Sequence, residues 1–98
     1  MGNVVFRFKR GLSQKLTLQN PLEILVDEKD AIKVQPDTGF DTELKKGAHT
    51  LKFWMISQEK EIGVVESKIE VHTGSKYEIT YEYSTIGGTG KVTITLKS

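Results

Sequence analysis

The sequence contains no cysteine and only two alanines among its 98 residues. Without cysteine the domain cannot use disulfides, so it lies in a reducing compartment or depends on its hydrophobic core alone. Alanine is the best helix former, and its scarcity argues against a helical protein. Valine (8 residues), isoleucine (8) and threonine (10) are abundant instead, and their β-branched side chains fit a pleated sheet. The composition therefore predicts strands.

The sequence also lacks an excess of one charge and any long hydrophobic run. Its 14 basic residues nearly balance 13 acidic ones, whereas nucleic-acid-binding domains usually show a strong basic excess. The longest apolar run, at 53–56, is far too short to span a bilayer. The first residues also lack the apolar stretch of a signal peptide. We therefore expect no nucleic-acid partner, no transmembrane segment and, by default, a cytoplasmic location.

Apolar and polar residues alternate along most of the chain, as in strands with one buried face. The clearest example is 77–83, where Tyr77, Tyr81 and Tyr83 are expected to point into the core together. Similar rows begin at Val4, Leu16, Leu22, Ile32, Phe40, Ile69 and Val92. Turn-forming residues separate these rows. About seven short strands predict one all-β domain over 1–98, an antiparallel, immunoglobulin-like β-sandwich.

Two neighbouring segments depart from simple alternation. Residues 48–56 place His49 and Phe53 on one face, yet Trp54 makes the second face apolar as well. A central strand has this pattern, and so does a strand whose second face meets a partner. In residues 57–68 the apolar spacing is compatible with a short helix, but Gly63 and its β-branched neighbours favour a strand.

The stretch from 22 to 83 resembles the PEGA-type group of bacterial immunoglobulin-like β-sandwich domains. The resemblance rests on a strand ending at Val26-Asp27, the step Leu44-x-x-Gly47-x-His49-x-Leu51 and a closing strand, glycine, strand order at 69–79. The motif that names the group is absent, and the usual Asp-Gly turn is Asp27-Glu28 here. The resemblance implies a non-catalytic accessory or interaction domain of a bacterial protein, and it supplies no site residues.

No arrangement of residues predicts catalysis, a cofactor or a metal site. Neither His49 nor His72 has a nucleophile or ligand partner at a suitable spacing, and we expect His49 to bond a backbone carbonyl near Gly47. Acidic residues at 27–30 and at 37–43 could bind calcium, but neither group has the spacing of a calcium loop, and turn formation explains both. The glycine-rich stretch 86–90 precedes a strand, which predicts a hairpin loop rather than a phosphate site.

The speculative binding residues are Trp54 and His49. We expect Trp54 to pack in the core; if it were exposed, it would be the best candidate for an interaction hot spot. The basic residues Arg7, Lys9 and Arg10 are expected to form a solvated face. The sequence thus predicts a protein-interaction domain, which could self-associate through a sheet face or edge. A carbohydrate- or small-ligand-binding β-sandwich, marked by Trp54 beside a tyrosine in an exposed groove, is the alternative.

Overall fold

The computed structural model describes residues 1–11, 19–29, 31–84 and 87–97, and this part of the chain forms strands without any helix. Eight strands occur in it: β1 (Gly2–Lys9), β2 (Leu22–Val26), β3 (Ala31–Val34), β4 (Gly39–Leu44), β5 (Gly47–Ser57), β6 (Lys60–Val71), β7 (Lys76–Ser84) and β8 (Thr89–Leu96). The prediction of an all-β domain is confirmed, with eight strands instead of about seven. The strand predicted around Leu16 and Leu18 falls outside the described residues.

The described strands form two four-stranded sheets that enclose one core. Sheet A has the order β4-β1-β7-β8, and sheet B has the order β3-β2-β5-β6. The inner faces of both sheets contribute buried side chains to a single cluster: Val4, Phe6, Phe8, Leu22, Ile24, Val34, Leu51, Phe53, Met55, Ile69, Val71, Tyr77, Ile79 and Tyr81. Two layers over one apolar interior are the architecture of a β-sandwich, as the alternation predicted.

One pair of described strands is parallel, which corrects the prediction of a wholly antiparallel sandwich. β1 is antiparallel to β4 on one side and parallel to β7 on the other, where Phe6 lies opposite Ile79. Parallel neighbours need a long crossover connection, and the chain between β1 and β7 contains all of sheet B. Alternation reports which face of a strand is buried but not the direction of the strand, so it could not predict this pair.

The strand order also differs from that of a constant-type immunoglobulin domain. In that fold the first two strands share one sheet, whereas β1 and β2 lie in different sheets here. A feature of immunoglobulin sandwiches does occur where the chain crosses from β6 to β7. The Tyr77 hydroxyl donates a hydrogen bond to the Glu70 carbonyl and accepts one from the His72 N–H, both at 3.1 Å. This geometry is that of a tyrosine corner, and it ties the two sheets together.

A β-bulge in β6 explains the irregular spacing of its apolar residues. The pairing register of β5 with β6 shifts between Phe53 and Met55, so β6 holds one extra residue there. Gly63 takes the bulge with a φ of 60°, a conformation that glycine adopts at little cost. Ile62 and Val65 consequently both face the core although they are three residues apart. The predicted strand is confirmed, and the helix-like spacing is a consequence of the bulge.

The edge strands β6 and β8 approach each other at Tyr81. The ring of Tyr81 is fully buried, and its hydroxyl donates a hydrogen bond to the Gly63 carbonyl at 2.5 Å. A Cβ atom on Gly90 would lie 2.6 Å from the Tyr81 hydroxyl oxygen, so this contact requires glycine on β8. Burial raises the pKa of Tyr81 to about 12, and the hydroxyl therefore keeps the proton that it donates.

Candidate functional site

Trp54 lies on the outer face of sheet B. Its neighbours on β5, Phe53 and Met55, are 1% and 0% exposed and belong to the core. Because side chains alternate along a strand, Trp54 points away from that core, and its side chain is half-buried. The prediction that Trp54 packs in the core is therefore wrong. Both faces of this strand are apolar, but sheet A covers only one of them.

Apolar side chains cluster around Trp54 on this outer face, and we call Trp54, Ile56 and Val64 the Trp54 patch. Ile56 is 40% exposed and Val64 is 47% exposed. Ile56 follows Trp54 on the same face, and Val64 belongs to the bulge on β6 that faces Trp54. Single exposed apolar residues are normal on protein surfaces, whereas adjacent ones mark a surface suited to binding.

Charged side chains border the Trp54 patch. Lys52 Nζ lies 5.3 Å from the centroid of the Trp54 ring, a distance typical of cation–π contacts, and 3.6 Å from Glu61 Oε1. On the β2 side, Glu23 lies opposite Trp54, and Lys33 lies opposite Glu23. An apolar centre bordered by charges of both signs has the composition of a protein–protein interface, where a polar rim surrounds an apolar core.

His49, the second residue singled out from the sequence, is held between two acceptors at the end of sheet B. Its Nδ1 lies 2.5 Å from Asp27 Oδ2, and its Nε2 lies 2.6 Å from the Lys45 carbonyl, two residues before Gly47. Both partners accept hydrogen bonds, so the ring satisfies both only when both nitrogens carry a proton. The Lys45 carbonyl first, and then Asp27, raise the pKa of His49 above its usual 6.5.

Asp27 joins the turn between β2 and β3 to β5. Its Oδ1 accepts a hydrogen bond from the Thr50 N–H, and its own N–H donates to the Thr50 carbonyl, both at 2.9 Å. The bond from His49, followed by the bond from Thr50, lowers the pKa of Asp27 below its usual 3.8. Asp27 and Glu28 have φ values of 53° and 59°, which favour glycine or asparagine. Aspartate tolerates this conformation, so the side-chain bonds of Asp27 stabilise a turn that only Glu28 disfavours.

This geometry gives the pair formed by His49 and Asp27 a structural role. Each ring nitrogen of His49 and each carboxylate oxygen of Asp27 already has a hydrogen-bond partner. A general base or a metal ligand needs a neutral imidazole with an available lone pair. The contacts instead favour the imidazolium form, which offers none.

The acidic residues considered for calcium make other contacts. Asp37 accepts a hydrogen bond from Arg10 Nη2 at 2.7 Å, and Asp41 accepts one from Asn3 Nδ2 at 3.0 Å. Asp30 lies outside the described residues. Within the part of the chain that the structure describes, no three histidine, cysteine, aspartate or glutamate side chains are grouped to hold a metal ion.

The glycine-rich stretch and the basic residues also have structural explanations. Gly87 and Gly88 form a turn that leads into β8, which pairs with β7 as the predicted hairpin. Arg7 and Lys9 are exposed on the outer face of sheet A, where Arg7 Nε lies 3.2 Å from Glu78 Oε2. Glu78 compensates the charge of Arg7, as expected for a solvated face. The expectation is wrong for Arg10, whose side chain is only 13% exposed and pairs with Asp37 at 2.7 Å.

Comparison with known proteins adds no family to these observations. No family model matches the chain, and no curated protein or solved structure matches it either. The described residues include no helix that is long and apolar enough to cross a membrane.

Proposed function

We propose that this chain is a non-catalytic accessory domain that binds a partner protein through the Trp54 patch. The observation that carries the proposal is the position of Trp54, on an outer face beside exposed Ile56 and Val64, while the core closes without it. Tryptophan is enriched among the residues that dominate the binding energy of protein interfaces. A partner that covers the patch would remove from water the exposed parts of Ile56 and Val64 and the accessible part of Trp54.

The resemblance to PEGA-type domains supports the same proposal and adds a bacterial origin to it. Two of its elements, Asp27 after a strand and His49 after Gly47, belong to one hydrogen-bonded cluster. The Tyr77 corner is a further similarity to immunoglobulin-like sandwiches. We call His49 and Asp27, with the Lys45 carbonyl and the Thr50 N–H that bind them, the His49 cluster. In this proposal the His49 cluster maintains the shape of sheet B, and the Trp54 patch on the same sheet binds the partner.

Carbohydrate binding receives less support than protein binding. That alternative requires a tyrosine beside Trp54 in an exposed groove. Tyr77 and Tyr81 are buried on the inner face of sheet A, and Tyr83 packs against the same core. Trp54 is therefore bordered by aliphatic and charged side chains, which suit a protein surface better than the stacked face of a sugar.

Quantitative affinity capture from extracts of the source organism tests the proposal. Wild type is compared with Trp54→Ser and with Thr80→Ala, a control on the polar outer face of sheet A. We expect to capture a protein whose recovery falls about tenfold or more with Trp54→Ser, because that variant removes a hot-spot residue. Its recovery should be unchanged with Thr80→Ala. The purified partner must then bind wild type directly in calorimetry, with the same ranking of the variants.

Intrinsic fluorescence provides a direct readout, because Trp54 is the only tryptophan in the sequence. Addition of the purified partner should shift the emission to shorter wavelength, since the indole leaves water. A panel of mono- and oligosaccharides should leave the emission unchanged. A partner that binds without affecting Trp54, or a saturable response to a sugar, would contradict the proposal.

A further inference from the structure

The free edge of β8 has the features of a site for strand addition. β8 is the last strand of sheet A and pairs with β7 alone among the described strands. Its inward row contains Ile94, which is 37% exposed, and Leu96, which is 62% exposed. Their partners on β7, Ile79 and Tyr77, are buried. Sheet B therefore leaves the end of β8 uncovered, and an apolar row remains in water.

The other edge strands carry devices that discourage pairing with another chain. β3 has only four residues, and β4 presents Asp41 and Glu43 on its exposed face. β6 is interrupted by the bulge at Gly63. Short edges, charges and bulges are the usual protections of sheet edges. β8 has eight residues, and its register with β7 is uninterrupted.

We propose that β8 of one chain pairs antiparallel with β8 of a second copy, so that two copies of sheet A join across a two-fold axis. This inference is independent of the proposed function, because it uses an edge of sheet A rather than the Trp54 patch on sheet B. A symmetric dimer of this kind buries the exposed apolar row and satisfies the backbone groups of both edges.

The backbone of β8 restricts where the two-fold axis can lie. The Lys97 N–H donates a hydrogen bond to the opposite carbonyl of Lys76 at 2.7 Å, so odd-numbered residues of β8 turn their backbone groups toward β7. Even-numbered residues from Gly90 to Leu96 consequently turn theirs toward the free edge. In the dimer, each even-numbered residue must lie opposite an even-numbered residue of the second copy. The two-fold axis therefore passes at the level of one residue, rather than between two residues, near the middle of the strand.

An axis at Thr93 gives the most complementary pairing of side chains. Leu96 then lies opposite Gly90 of the second copy, at the part of β8 where the Gly63 carbonyl of β6 and the Tyr81 ring pack. Val92 lies opposite Ile94 of the second copy, a pair of β-branched residues that pack well across antiparallel strands. The exposed residues Ile94 and Leu96 of each chain thereby gain neighbours on the second copy.

The charges of β8 agree with this axis. With Thr93 on the axis, Lys91 faces Thr95 of the second copy, and Lys97 faces Thr89. An axis one residue later would set Lys91 against Lys97, and like charges directly opposite each other are destabilising. An axis one residue earlier would leave Leu96 against a turn residue. The sequence of β8 therefore selects a second copy in one register.

Disulfide trapping tests both the interface and the register. The chain has no cysteine, so Thr93→Cys introduces a single thiol per chain. In the proposed register Thr93 faces itself in a non-hydrogen-bonded pair, where the Cα atoms are about 4.5 Å apart, within the range for disulfides. Thr80→Cys, on the neighbouring strand and opposite Thr93, is the matched control for random collision. We expect Thr93→Cys to form the covalent dimer at least tenfold faster.

Mixed pairs and solution mass complete the test. Lys91→Cys and Thr95→Cys should cross-link to each other and not to themselves. In analytical ultracentrifugation, Ile94→Lys should raise the dissociation constant of the dimer at least tenfold, while circular dichroism shows an intact fold. Equal cross-linking of Thr93→Cys and Thr80→Cys would overturn the inference. A wild-type monomer at millimolar concentration, or a dimer dissociated by Trp54→Ser rather than Ile94→Lys, would overturn it as well.

Discussion

The two outer faces of the sandwich follow the same alternation of side chains but differ in character. The outer face of sheet A is polar and includes Thr80 opposite Thr93, and the bridge from Arg7 to Glu78 at 3.2 Å. The outer face of sheet B carries the Trp54 patch, with exposed apolar side chains at its centre. Both faces point away from the core, so burial in the core does not account for the difference.

This difference identifies which apolar residues the fold requires. Antiparallel sheets commonly have one face on the core and one polar face in water, as sheet A has here. We therefore expect Trp54, Ile56 and Val64 to add little to the stability of the sandwich. Exposed apolar side chains that the fold does not need are typical of a surface that binds another molecule.

The largest contrast is expected between two adjacent residues of β5. Phe53 is 1% exposed, and its ring lies 6.3 Å from that of Phe6 and 6.0 Å from that of Tyr81. Phe53→Ala should lower the free energy of unfolding by about 3–5 kcal/mol, because it leaves a cavity in the core. Trp54→Ala should cost less than about 1 kcal/mol. Urea unfolding followed by circular dichroism measures both, and equal losses would show that the Trp54 patch is structural.

The bulge that turns Val64 toward the Trp54 patch provides the next test. A Cβ atom on Gly63 would overlap the Tyr81 hydroxyl and would lie 2.7 Å from a ring carbon of Tyr83. Gly63→Ala should therefore cost about 2–3 kcal/mol of unfolding free energy through overpacking and backbone strain. Gly74→Ala is the control, since Gly74 also has a positive φ, of 78°, but nothing within 4 Å. Similar losses in both variants would leave only backbone strain as the cause.

The His49 cluster should make the stability of sheet B depend on pH. The folded state raises the pKa of His49 above 6.5, so its contribution is complete below pH 6.5 and is lost as the pH rises through the folded value. The folded state lowers the pKa of Asp27, so its contribution is complete above pH 3.8 and is lost as the pH falls through the folded value. The cluster therefore stabilises the domain most between these two limits.

Replacing His49 should remove the basic side of this dependence. We expect His49→Gln to cost about 1–2 kcal/mol at pH 5.5, allowing for solvent screening of the partly exposed Asp27. The cost should become smaller as the pH rises, because wild type loses its contribution there. Urea unfolding at pH 5.5 and 8.5 measures the change. Asp27→Asn is the companion variant, in which the pKa of His49, followed by NMR, should fall toward its usual value.

Alternation predicted the parts of the fold that depend on one strand at a time. It identified the inward rows of β1 and β7 because a strand with one buried face must alternate. The direction of β1 relative to β7 and the bulge at Gly63 depend on neighbouring strands, and a periodic pattern does not contain that information. Trp54 is the clearest case: its strand is apolar on both faces, so only the position of sheet A shows which face forms the core.

The candidate site was predictable to a similar extent. A carbonyl partner for His49 near Gly47 follows from local chain geometry, and the structure has it at Lys45. The contact between His49 and Asp27 needs the turn after β2 to meet β5, and the two residues are 22 apart in the chain. The exposed end of β8 could not be predicted either, since Ile94 and Leu96 have the same alternation as a buried strand.

The smallest effect is expected on the polar face, which supplies the baseline for the comparison. The Arg7 side chain is 52% exposed, and its ion pair with Glu78 is largely solvated. Arg7→Ala should change the free energy of unfolding by no more than about 0.5 kcal/mol, and less at 1 M salt, because exposed ion pairs are weak and screened. Partner recovery should also match that of wild type. If Arg7→Ala reduced partner recovery as much as Trp54→Ser, the apolar character of sheet B would not be what the partner recognises.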